Sequence, residues 1–308
     1  MSTALITHHD FFDHVTPPGH PEQVARLDSV YGALEDLDLT RVVAPLAAEA
    51  DLLRVHPKAY LDRIADAIPE KGIRALDADT HVSPGSLGAA WRGAGAVLRG
   101  VDMVLSGEVG NAFAAVRPPG HHAETETPMG FCLFGNVAAA AKYALDHHGL
   151  SRVAVVDFDV HHGNGTQDLL WDEARTLFVS SHQMPLWPGT GRPDETGAHD
   201  NVLNLALPPE SDGAHMRRVY EAEVFPRLHA FAPELLLISA GFDAHHADPL
   251  AQLNWEVEDF VWLTGALCDI ADESCGGRVV SALEGGYDLE ALGLCVAAHV
   301  NVLMERAR

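Results

Sequence analysis

Cysteine is scarce in this chain. Its four residues, Cys132, Cys268, Cys275 and Cys295, form no CxxC pair, which excludes a disulfide framework and leaves them as reduced thiols expected in the core. Positive charge is scarce too. Twenty Lys and Arg stand against 44 Asp and Glu, a formal net charge of -24 at pH 7, and such a field repels a phosphate backbone, so direct binding of nucleic acid is excluded as a function. The same field would draw a cationic substrate, although solubility explains it as simply. No apolar run reaches the roughly 18 residues needed to span a bilayer. The opening MSTALITHHDFFDH lacks the basic and apolar segments of a secretory signal, so a soluble, cytoplasmic protein with no membrane partner is expected. Linkers, charge blocks, repeats and low-complexity tracts are also missing, and the chain reads as one globular unit over residues 1–308.

What is present begins with apolar residues, 47% of the 308, enough to bury a large core. Five short apolar runs without clean alternation, Ala112–Val116, Val153–Phe158, Thr176–Val179, Leu235–Ser239 and Arg278–Leu283, suit strands covered on both faces of a parallel sheet. Helical patterns fall between them. Asn136 is expected to cap an Ala-rich helix over Val137–His147, with Gly149 placed to end it. The alternation implies an α/β fold with a mainly parallel sheet.

Each run leads into polar residues. The first precedes RPPGHH (Arg117–His122), the second runs into DFDVHHGNG, the third into SSH (Ser180–His182), the fourth into AGFDAH (Ala240–His245) and the fifth into EGGY (Glu284–Tyr287). Ligands of open α/β sheets bind beyond the carboxyl ends of the strands, so five such ends can converge on one site. Taken singly, each motif suits a turn or a surface pair. Taken together, they point to a metal. On a strand, Asp157, Asp159 and His161 would face the same side. Asp159 and His161, joined by Asp243, would give an oxygen, nitrogen, oxygen donor set suited to zinc with an open position.

These motifs, with GHPE (Gly19–Glu22), GFC (Gly130–Cys132) and PGTG (Pro188–Gly191), resemble the zinc-dependent histone deacetylase superfamily in its class II and bacterial amidohydrolase-like branch. The resemblance covers nearly the whole chain. It implies a single-domain arginase-deacetylase α/β fold with a mainly parallel sheet of about eight strands flanked by helices, and an enzyme that hydrolyses N-acetyl amides. It makes Asp159, His161 and Asp243 the zinc ligands, with iron(II) also admitted by this donor set. His121 and His122 match the tandem catalytic histidines, His121 held by Asp157 and His122 oriented by Asn164, and Tyr287 matches the tyrosine facing the metal. Gly130, Phe131 and Trp187 correspond to the walls of an acyl-lysine tunnel. Ser180 and Ser181, with Asp157, Asp159 and the His161 carbonyl, match a structural potassium site.

The chain also departs from the pattern. RPDETGAHDNVLN, after PGTG, is less glycine-rich than the family's rim turn. Leu250, seven residues beyond Asp243 and on the tunnel, stands where polyamine-selective relatives carry an acid. Acetyl-lysine peptides are therefore the expected substrates, with acetylpolyamines and small exogenous amides as alternatives, and a homo-oligomer is left open. Two rival readings are an arginase-like binuclear manganese hydrolase and a non-catalytic acyl-lysine-binding module. The first lacks bridging carboxylates at Gly163 and His245; the second is disfavoured because Tyr287 and both histidines are present.

Overall fold

The computed structural model describes residues 1–307. Ten strands occur among them: β1 (Thr3–Thr7), β2 (Thr40–Val43), β3 (Arg74–Ala75), β4 (His81–Val82), β5 (Asn111–Ala114), β6 (Val153–Asp157), β7 (Thr176–Gln183), β8 (Val202–Leu207), β9 (Leu235–Ala240) and β10 (Val279–Leu283). Eight form one sheet in the order β2-β1-β5-β10-β9-β6-β7-β8, every pair parallel, and β3 and β4 form a small antiparallel ribbon.

Side chains on both faces of the sheet are buried, which explains the unbroken apolar runs. Val153 and Val155 of β6 join one core with the helices Ser86–Ser106 and Asn136–Asp146. Ala154 and Val156 join the other with Val257–Cys275 and Leu289–Arg306. All four cysteines are buried and free.

The five strands expected from sequence are the contiguous block β5-β10-β9-β6-β7 in the middle of the sheet. Several bounds shift by one or two residues, and three differences bear on the site. The helix after Gly135 begins at Asn136, so Gly135 occupies the cap position and the Asn136 amide turns to the Pro118 carbonyl instead. Strand β7 continues through Gln183, so Ser180 to His182 lie within it. Strand β6 stops at Asp157, leaving Asp159 and His161 in a bend and not on a strand face.

Candidate active site

Side chains hold that bend by accepting backbone amides. Asp157 Oδ1 accepts from Asp159 N at 3.1 Å, Asp159 Oδ1 from His161 N at 3.0 Å, and Asp243 Oδ1 from Val160 N at 2.8 Å. A residue whose carboxylate bonds the amide two positions on forms a turn of its own, and two such turns in succession bring Asp159 and His161 together where strand alternation does not. Donor atoms of Asp159, His161 and Asp243, all buried, lie within 4.8 Å of one another. His161 Nδ1 is 3.3 Å from Asp159 Oδ1 and 3.0 Å from Asp243 Oδ2, so its proton stands where an ion would. Close packing completes the nest: a Cβ built on Gly285 would collide with the carboxylates of both Asp159 and Asp243.

Electrostatics sets these groups apart. Burial alone would strip the His161 proton, but Asp159 and Asp243 outweigh it and raise the pKa to about 10. Burial, with the Asp159 charge, pushes Asp243 up to about 7. No Arg or Lys pairs with Asp157, Asp159 or Asp243 among the described residues. Two buried carboxylates around the His161 imidazole, with Asp157 held by His121 beside them, therefore fit a divalent cation, since buried charge is normally paired or bound to metal.

Beside the trio, His121 and His122 have ring centroids 3.8 Å apart. His121 Nδ1 bonds Asp157 Oδ2 at 3.0 Å, and His122 Nδ1 bonds Asn164 Oδ1 at 2.8 Å. Their partners tune them in opposite directions. Burial works against the charge on His121, yet Asp159 and Asp157 hold its pKa well above the usual histidine range. Burial, reinforced by His121 and His161, drives His122 well below it. Thus one ring keeps a positive charge while its neighbour keeps a free nitrogen.

Glu284 orders this pair from behind. Its Oε2 accepts the amides of Gly120 at 2.7 Å and His121 at 3.1 Å, and burial pushes its pKa up to about 7. On the other side of the motif, Arg26 binds the carbonyls of Gly286 and Glu284 at 2.7 and 2.5 Å. Asp248 Oδ2 accepts the Tyr287 amide at 2.7 Å. These contacts fix the loop that carries Tyr287, whose hydroxyl is kept protonated by burial and by the charges of Asp243 and Asp159.

His122, His161 and Tyr287 meet in a cavity of about 340 Å³. Gly130, Phe131, Trp187 and Leu250 all line it. Phe131 adopts φ 68°, costly for an aromatic residue and a mark of a constrained site. His20, Asp79 and His81 add a polar rim that the sequence reading missed. Nothing distinguishes Asp79 from the chain's other acids before folding places it beside the His20 ring, whose Nε2 contacts its carbonyl at 2.8 Å.

Ser180 Oγ lies 3.0 Å from His182 Nδ1, and Ser181 Oγ 2.7 Å from the Tyr220 hydroxyl. A larger open depression of about 750 Å³ beside helix Lys58–Ala67 gathers no comparable set of groups. A second cluster, His245, His246 and Glu256, also brings donor atoms together. There His245 Nδ1 accepts the Ala247 amide at 3.2 Å, which leaves the other nitrogen of the neutral ring protonated and unfit to ligate. His245 faces Glu256 and supplies no bridge for a binuclear centre.

Comparison with known proteins comes to the same place. The family model for the histone deacetylase domain matches residues 20–303. The histone deacetylase-like amidohydrolase of Pseudomonas aeruginosa is 39% identical, over 94% of this chain and 79% of that protein. Histone deacetylase 14, chloroplastic, of Arabidopsis thaliana is 38% identical, over 92% of this chain and 73% of its own length. Among solved structures, the HDA15 HD domain superposes with a TM-score of 0.90 at 30% identity, covering 97% of this chain and 90% of that one.

Proposed function

Since the chain belongs to the histone deacetylase family, we propose that it is a zinc-dependent amidohydrolase, one catalytic domain over residues 1–308, that removes acetyl groups from amine nitrogens. Asp159, His161 and Asp243 would hold the metal. When bound, zinc would lower the pKa of a water from about 15.7 towards about 7 and polarise the amide carbonyl. His122, neutral and free at one nitrogen, takes the proton of the attacking water and returns one to the departing amine. His121, kept cationic by Asp159 and Asp157, lends positive charge beside it. The Tyr287 hydroxyl donates to the oxyanion that develops on the substrate carbonyl. What supports this reading most is the opposite tuning of two stacked histidines, of which His122 lines the same cavity as Tyr287 while His121 lies behind it on Asp157.

Apolar Phe131, Trp187 and Leu250 suit a slender alkyl stem, and Leu250 offers no carboxylate to a polyamine, so acetyl-lysine peptides are the preferred substrates, ahead of acetylpolyamines and small amides. Potassium is proposed at Asp157, Asp159, the His161 carbonyl, Ser180 and Ser181. A Ser180 hydroxyl donating to His182 Nδ1 keeps its lone pairs for a cation. No helix among the described residues is long and apolar enough to cross a membrane, and we place the enzyme in the cytoplasm. The test is acetate release from a fluorogenic acetyl-lysine peptide with and without a zinc-chelating hydroxamate. Turnover abolished by the hydroxamate supports the reading; no release from the zinc-loaded protein on acetyl-lysine, acetylputrescine or acetylspermidine sinks it.

A further inference from the structure

Trp187 is 41% exposed, yet it shapes the innermost part of the tunnel. Its indole stands edge-to-face 4.7 Å from the His122 ring and 6.1 Å from the His161 ring. It therefore borders the floor on which an acyl group would rest, as well as the wall along the stem. Any acyl tail longer than a methyl must displace this indole or find room beside it. What fixes the indole decides what the tunnel admits.

The loop that follows Trp187 is tied down by residues with no part in the chemistry above. His162 Nε2 lies 3.0 Å from Gln167 Oε1, and His162 Nδ1 lies 2.8 Å from Thr190 Oγ1. Gln167 Nε2 donates to Glu195 Oε2 at 2.8 Å, and the same oxygen accepts the Gly191 amide at 3.1 Å. His182 Nε2 meets the Gly191 carbonyl at 2.9 Å. Every donor in this ring faces an acceptor: His162 gives its Nε2 proton to Gln167 and receives the Thr190 hydroxyl proton, and His182 gives its Nε2 proton to Gly191 and receives that of Ser180. Gly191 itself, at φ +85°, sits so close that a Cβ would stand 2.5 Å from both the His162 and His182 rings. The loop is clamped against buried groups, and one clamp, His162, is the neighbour of the metal-binding His161.

We propose that the ring of His162, Gln167, Glu195 and Thr190 holds the Trp187 wall at a fixed depth and thereby confines the tunnel to short acyl chains, an inference that rests on the deacylase reading of the site. These are positioning residues. Glu195 and Thr190 offer the cleanest test because each has a conservative replacement: one oxygen of a glutamine still serves both donors that Glu195 Oε2 serves, and serine keeps the Thr190 hydroxyl.

The experiment measures kcat and KM of the zinc-loaded enzyme on acetyl-, butyryl- and hexanoyl-lysine peptides. Glu195→Ala and Thr190→Val should weaken acetyl-lysine turnover several-fold, chiefly through KM, and raise the butyryl-to-acetyl ratio of kcat/KM by about tenfold, the scale on which an apolar pocket discriminates a methylene. Glu195→Gln and Thr190→Ser should keep the parental ratio. An unchanged ratio in Glu195→Ala, or an equal change in Glu195→Gln, overturns the proposal. A second readout does not depend on activity: in protein carrying 5-fluorotryptophan, the Trp187 fluorine resonance, assigned through Trp187→Phe, should narrow in Glu195→Ala as the side chain gains motion. An unaltered resonance overturns the brace whatever the kinetics. Wild-type enzyme inert on every acyl-lysine and acetylpolyamine, with the resonance still responding to Glu195→Ala, would instead refute the deacylase reading and leave the brace standing.

Discussion

Two clusters of buried charge lie a few residues apart around EGGY, and they are balanced differently. In one, the Glu22 carboxylate sits between Arg26 and Arg117, all three fully buried, with His14 Nε2 at 3.5 Å. Burial alone would raise the Glu22 pKa, but Arg117 and His14 hold it well below the usual range. In the other, Asp157, Asp159, Asp243 and Glu284 crowd around histidines, and burial pushes Asp243 and Glu284 up to about 7. The first cluster is complete in itself and ties GHPE and RPPGHH to the Tyr287 loop. The second has more buried negative charge than its protein partners neutralise, a deficit that the proposed cation would offset.

The comparison is broken most severely by Asp243→Ala. This variant should lose most bound zinc and nearly all turnover while folding normally, as metal analysis, activity and circular dichroism would record. Stoichiometric zinc with full activity would remove the proposed centre. Next comes His122→Ala, expected to keep zinc and lose about 10²- to 10⁴-fold in kcat. His121→Ala should be milder, and equal, trivial losses in both would end their division of labour. Tyr287→Phe should cost about 10²- to 10³-fold in kcat on acetyl-lysine, with a much smaller penalty on a trifluoroacetyl-lysine peptide, whose carbonyl needs less help. Parental turnover of acetyl-lysine would reduce Tyr287 to a turn residue.

The complete cluster predicts the reverse pattern. Glu22→Gln leaves two guanidinium groups buried without their counter-charge, so it should lower unfolding free energy by about 3–5 kcal/mol while zinc stoichiometry stays unchanged. Denaturant titration and metal analysis together check this. The smallest effect concerns protons. The metal-free protein holds a proton on His161, whose pKa is raised, and metal must take its place; the proton therefore competes more strongly as pH falls. Zinc affinity should rise with pH between about 7 and 10 by about tenfold per unit for one displaced proton, and more steeply below about 7, where Asp243 is protonated as well. Calorimetry near pH 8 in buffers of different ionisation heat should show that proton released. Uptake without release would mean that His161 is not a ligand.

The middle of the sheet was legible because β5, β10, β9, β6 and β7 are buried throughout, and each carries an apolar run, which in β7 is confined to Leu177–Val179. The outer strands were not. TRVV of β2 alternates half-buried and exposed residues, and VLNLAL of β8 places Asn204 within the strand. β1 is mostly buried, but its apolar residues, Ala4 to Ile6, are bracketed by Thr3 and Thr7. At the site, the spacing of Asp157, Asp159 and His161 pointed to one cluster, although the turns made by their own carboxylates, and not strand pleating, bring them together. The rim groups His20, Asp79 and His81 were hidden for another reason. They come from the first 81 residues, and only tertiary folding carries them to the tunnel.

The last strand of the chain, β10, is inserted between β5 and β9 in the middle of the sheet. During synthesis from the amino terminus, β1, β2 and β5 emerge early and β6 to β9 follow, yet the two blocks have no hydrogen-bonded seam until residues 279–283 arrive. The Arg26 bond to Gly286 then closes a span of 260 residues. Contacts so distant in sequence are slow to form, so the loop that carries Tyr287 is expected to reach the β6–β9 residues late in folding, and a chain cut before Val279 would leave two half-sheets with open edges and no Tyr287.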